Sequence, residues 1–121
     1  MEKAIRVSPR DGQIPAWYWR IGVVHLVQSR LDEAIHWFEK ARRANPGRPA
    51  PHAWLASSYA LKGDLDHAAA ELAEARRLNS DDRYSSIARL KAVEYFGVEK
   101  VRALFEITFF AGLRKAGVPE E

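Results

Sequence analysis

The sequence predicts an all-α fold of antiparallel helix–turn–helix repeats, an α-solenoid of about two full units plus a capping helical pair. Three observations predict it. The segment LDEAIHWFEKARRAN (Leu31 to Asn45) returns thirty-four residues later as LDHAAAELAEARRLN (Leu65 to Asn79), with seven of fifteen positions identical. A fixed period of this size marks stacked supersecondary units, none of which buries its apolar face alone. Large side chains elsewhere recur at helical spacing, and no segment alternates as a half-buried strand does.

Each element has its own signal. From Pro15 to Val27, large groups at Trp17, Ile21, Val24 and His25 keep a helical period. QSRLDEA reads as a tight turn, with Asp32 and Glu33 suited to the positive first turn of the next helix. That helix presents Leu31, Ala34, Ile35, Phe38 and Ala41, and NPGRPAP stops it because proline lacks the N–H and clashes with the preceding turn. Trp54, Leu55, Tyr59 and Leu61 mark a third helix. Gly63 turns the chain, and Asp64 is placed to cap a fourth helix carrying Leu65, Ala68, Ala69, Leu72, Ala75 and Leu78.

Beyond Asn79 the period weakens. A fifth helix is expected over about Asp82 to Tyr95, capped by Ser80 or Asp81. A sixth is expected over Val98 to Ala116, with Val101, Leu104, Phe105, Thr108 and Phe109 inward. Gly117 fits a left-handed C-cap, and Pro119 forbids continuation. The expected organisation is a remnant tail at 1–14, repeats at 15–48 and 49–82, and a degenerate third pair with a capping helix at 83–121.

Composition narrows the function. An apolar share of 47% supports a real core, and a net charge of +3 permits an acidic partner without demanding one. The absence of cysteine removes disulfides, thiolate chemistry and Cys-based zinc sites. The most apolar stretch, ALFEITFFAGL, contains Glu106 and is far short of the roughly 20 residues of a membrane span. The N-terminus lacks the apolar core of a secretory signal. A soluble cytoplasmic chain with no membrane partner is the expectation.

The residues resemble tetratricopeptide repeats. Pro15 to Arg48 supplies Tyr18, Ile21-Gly22, His25, Ala34, Phe38, Ala41 and Pro46 at the family's positions. Pro49 to Asp82 supplies His52, Leu55-Ala56, Tyr59, Gly63, Ala68, Leu72, Ala75 and Ser80, departing at His52 and Ser80. Gly22 and Ala56 are small where the helices of a unit cross, and Ala34, Ala41, Ala68 and Ala75 serve the same approach from the second helix. KAIRVSPRD resembles the tail of a preceding unit, with Ala4 and Pro9 where Ala41 and Pro46 fall later. SPRDGQIPAWYWRIG and GLRKAGVPEE are similar to C-terminal repeat regions of bacterial adenylate/guanylate cyclases and some winged-helix regulators. That likeness implies a regulatory appendage within a larger protein. The chain itself lacks the paired metal-binding aspartates of a cyclase catalytic domain and an evident DNA-reading helix.

The resemblance implies a protein-interaction module, in which first helices line a concave groove. The groove positions are Ala16, Trp19, Val23, Leu26 and Val27, then Ala50, Ala53, Ser57, Ala60 and Leu61. The Lys/Asn set with which some relatives clamp a carboxylate is absent, because Trp19, Val23, Ala53 and Ser57 stand in its place. The last helix carries Phe105, Phe109 and Phe110, which cannot all point one way. It is expected to cap the stack, with a homodimer contact or an external protein or peptide ligand as alternatives.

No reactive centre emerges. The four histidines form no i, i+4 pair with one another, so no metal or other cofactor is expected, and His25 and His52 read as packed rings. Carboxylate pairs fall at helix starts, where the dipole accounts for them. Trp17, Trp19, Trp37 and Trp54 read as core and groove rather than as a cation cage. Arg42, Arg43, Arg48, Arg76, Arg77, Arg83 and Arg89 could form a basic stripe for nucleic acid, although dipole complementation explains the two Arg-Arg pairs. The chain is not expected to be an enzyme.

Overall fold

The computed structural model describes residues 14–94 and 96–121, with side chains from residue 17 onward. In chain order come α1 (Ile14–Val27), α2 (Leu31–Ala44), α3 (Pro49–Lys62), α4 (Leu65–Leu78), a 3-10 turn (Arg83–Ser85), α5 (Ile87–Val93), α6 (Glu99–Glu106) and α7 (Phe109–Ala116). No strand occurs among the described residues. The fold is an all-α helical-repeat solenoid. The expected remnant tail, with Ala4 and Pro9, lies outside the described residues, as does Tyr95.

Helices α1 and α2 form one antiparallel pair and α3 and α4 the next, with α3 also against α2. The small-residue crossings are visible atom by atom. A Cβ on Gly22 would stand 2.5 Å from Cε1 of Phe38, so only glycine lets α1 lie on that ring. One period on, Ala56 and Leu72 occupy the matching places, both buried. Ala34, Ala41, Ala68 and Ala75 are likewise buried where the second helices approach.

The two intra-pair turns share one geometry built from different residues. Arg30 N–H donates to the His25 carbonyl at 2.9 Å, and Asp64 N–H donates to the Tyr59 carbonyl at 2.9 Å. Both turns need a left-handed residue. Gly63 provides it at φ 95°, whereas the first turn uses Ser29 at φ 60°. Asp64 caps α4 by accepting from His67 N–H, which holds its carboxyl below the ordinary value of 3.8. Arg30, at the matching position, offers no cap.

Helix α3 is the most buried helix, its residues from Pro51 to Ser58 all being buried, the polar His52, Ser57 and Ser58 among them. One side meets α2 and α4; the other meets α7. His52 is hydrogen-bonded as well as packed. Its Nδ1 lies 2.6 Å from Glu71 Oε1 on α4, and its Nε2 lies 3.0 Å from the Pro46 carbonyl. Arg42 on α2 pairs with the other oxygen of Glu71, so one buried carboxylate joins three helices.

The C-terminal third departs from expectation. The fifth helix starts later than Asp82, at Ile87, and its cap is Ser86, whose hydroxyl accepts from Arg89 N–H. Asp81 is not a cap; it turns back on Arg83, accepting from that residue's N–H at 2.9 Å. The expected sixth helix is two helices. Thr108 leaves helical geometry at φ −122°, ψ −86°, and its hydroxyl donates to the Leu104 carbonyl at 2.7 Å. The break lets Phe109 and Phe110 both bury on α7. It leaves Val101 and Leu104, expected inward, exposed on α6, with Ile107 71% exposed beside them.

Trp17 and Val24 are also exposed, although their helical spacing predicted a packed face. Their counterparts thirty-four residues later, Pro51 and Ser58, are buried. Glu106 ties α6 to both neighbours through Lys91 on α5 and Arg114 on α7, and these cations hold its carboxyl below the ordinary value. Past α7, Gly117 closes the helix at φ 110°, and the carbonyls of Pro119 and Glu120 accept from the first N–H groups of α5 at 2.8 Å each.

Candidate functional site

The concave surface expected to be open is partly filled by the chain itself. Phe109 stacks on Trp54 with centroids 3.7 Å apart and planes 6° from parallel. Ser57 Oγ donates to the Phe109 carbonyl at 2.8 Å. A Cβ on Gly112 would stand 2.1 Å from Ser57 Oγ and 2.4 Å from its carbonyl oxygen, so α7 lies on α3 with no room for a side chain between them.

Four of the expected groove residues are not accessible. Leu26, Ala53, Ser57 and Ala60 are buried. Trp19, Val23, Ala50 and Leu61 are half-buried and packed against the core, and Val27 is half-buried. The side chain of Ala16 lies outside the described set. Phe109 and Phe110 are fully buried, which leaves neither for contact with a second copy, while Phe105 remains half-buried. The small residues at 53, 57 and 60 seat an internal helix, which the repeat pattern alone did not specify.

What stays open is a cleft of about 290 Å³ at the end of this surface, between α1 and α6. It is lined by Trp19 on α1, Trp54 on α3, Val101 and Phe105 on α6, and Glu94, Phe96 and Gly97 from the segment before α6. Trp19 meets Trp54 edge to face at 5.5 Å, Trp54 meets Phe105 at 5.7 Å, and Phe105 meets Phe96 at 5.9 Å. Gly97 permits the sharp approach to α6 at φ 87°, where a Cβ would crowd Val101 at 3.1 Å. The indole N–H of Trp19 is buried without an acceptor. Val98 and Leu104 extend the apolar rim, 63% and 45% exposed.

Family models give the context. A model described as tetratricopeptide repeat matches residues 26–93, more than half of the chain, and a second so described matches residues 1–49. The chain belongs to the tetratricopeptide repeat family. Such repeats are generally protein–protein interaction modules. No curated protein and no solved structure matched in the corresponding comparisons. Among the described residues no helix is long and apolar enough to cross a membrane.

Sequence reasoning missed Glu94, Phe96 and Val101 as site residues, because they lie where the thirty-four-residue period has lapsed. It also missed Glu71, whose place on α4 looks like an exposed acid until Arg42 and His52 converge on it. Most arginines of the expected stripe are engaged. Arg42, Arg77, Arg83 and Arg89 pair with Glu71, Glu74, Asp81 and Asp82 respectively, and Arg76 donates to the Tyr84 carbonyl at 3.1 Å.

Proposed function

We propose that this chain is a protein-binding module whose recognition surface is the cleft between Trp19 and α6. The observation that carries it is the division of the concave face. Helix α7 occupies the part over α3, and an aromatic cleft with an exposed aliphatic rim is left beside it. An exposed apolar patch bordered by polar groups is the ordinary signature of a docking site.

The module belongs to a longer regulatory protein on this reading. Trp17 and Val24 support it, since they are exposed whereas their counterparts in the next unit, Pro51 and Ser58, are buried. The likeness of SPRDGQIPAWYWRIG and GLRKAGVPEE to cyclase-attached repeat regions points the same way. Nucleic acid is a weaker alternative, because carboxylates already neutralise most of the arginines that would contact phosphate. A homodimer, if formed, would use the α6 rim rather than Phe109 and Phe110.

The test is selection of short peptides from a random display library on the immobilised chain. Selected peptides are expected to lose about tenfold in affinity on Trp19→Ala, with helicity by circular dichroism preserved. Peptides that bind Trp19→Ala as tightly as the parent chain would place recognition elsewhere.

A further inference from the structure

We infer that the cleft takes an arginine side chain from an extended segment of the partner, its guanidinium lying on the aromatic walls beside Glu94. This rests on the reading of the cleft as the recognition surface and adds the chemistry of its occupant. Two observations converge on it.

The first is the wall. Trp19 and Phe105, both half-buried, line one cleft and each meets the buried Trp54 edge to face; Phe109 is stacked on Trp54, so Trp19 and Phe105 carry the accessible ring surface. Ring faces carry partial negative charge, and tryptophan attracts a cation most strongly. The second is the charge. Among the described residues lining the cleft, Glu94 is the one that is ionisable at neutral pH. Its Oε1 accepts from Arg83 at 2.7 Å, yet that guanidinium is also held by Asp81, at 2.9 Å from Nη2 and 3.1 Å from Nε. Two carboxylates share this one cation, so Arg83 compensates Glu94 only in part.

An apolar occupant would leave the residual charge of Glu94 without a further partner. Arginine fits better than lysine. Its planar guanidinium stacks on rings and presents a fork to a carboxylate, whereas an ammonium is a compact, strongly hydrated charge. Arg102, which is exposed, borders the neighbouring depression with Glu94 and Lys91 and does not line the aromatic cleft.

The experiment titrates the full chain, 15N-labelled, with the capped tripeptide Gly-Arg-Gly and in parallel with its norleucine analogue, following the indole N–H signals. The arginine peptide is expected to move the Trp19 signal and to bind at least about fivefold tighter than the norleucine peptide. Glu94→Gln should erase that preference. Because this change also frees Arg83, a second variant, Val101→Glu, adds a carboxylate at an exposed wall position and should tighten the arginine peptide by about fivefold.

Equal binding of the two peptides in the parent chain and in both variants would overturn the arginine assignment while leaving the cleft as a docking site. Failure of both peptides to move the Trp19 signal would also overturn it. Whether the cleft itself is the docking site is then decided separately, by whether display-selected peptides lose affinity on Trp19→Ala.

Discussion

Ser29 and Gly63 perform the same backbone task with unequal means. Both are left-handed, at φ 60° and φ 95°. A side chain in that region costs about 1–2 kcal/mol, partly offset in glycine by its greater freedom when unfolded. Arg30 and Asp64 form a second unequal pair, since only the aspartate caps its helix. Ser29→Gly is expected to stabilise the chain by about 0.5–1 kcal/mol, and Arg30→Asp by about 1 kcal/mol. Urea midpoints of the two variants and the double variant measure this. An unchanged or lower midpoint for both single variants would mean that the first turn is not a weak copy of the second. The thirty-four-residue alignment makes both pairs readable from sequence. It does not reveal His52, Glu71 and Arg42 as a bonded trio, because that depends on three side chains meeting across helices.

At the scale of elements, legibility follows the period. Helices α2 and α4 start and end thirty-four residues apart, and their small-residue faces were evident in Ala34, Ala41, Ala68 and Ala75. The C-terminal third has no copy of itself to be compared with, so its breaks depended on tertiary packing. Thr108 is the clearest case. Nothing local forbids a helix there, yet only a break lets Phe109 reach Trp54 while Phe110 reaches Phe96, 4.9 Å away between centroids. The seat of α7 on α3 is correspondingly exacting. Gly112→Ala is expected to lower stability by about 1–3 kcal/mol, since the new methyl meets backbone as well as a hydroxyl. It should also loosen α7 selectively. Hydrogen exchange would show faster exchange in 109–116 with α1 and α2 unchanged; uniform protection at parent levels would contradict the close seat.

For the whole molecule, the balance of charge argues against a polyanion partner despite the basic composition. The net charge is only +3, and four of the seven arginines of the expected stripe already have carboxylate partners, which weakens the field available to a phosphate backbone. The chain is expected not to retard generic RNA or DNA in a gel at low ionic strength. Retardation that disappears with added salt would restore the basic-stripe reading.

The carbonyls of Pro119 and Glu120, bonded to the start of α5, have a further consequence for anyone wishing to lengthen the pile. Extra consensus units spliced ahead of Ile14 would meet an available surface in Trp17 and Val24. Units inserted after Leu78 would have to evict Tyr84, which is packed into the core, and unpick the tail from α5. Among the described residues the two faces of the stack thus differ, with Trp17 and Val24 exposed on one and Tyr84 buried on the other.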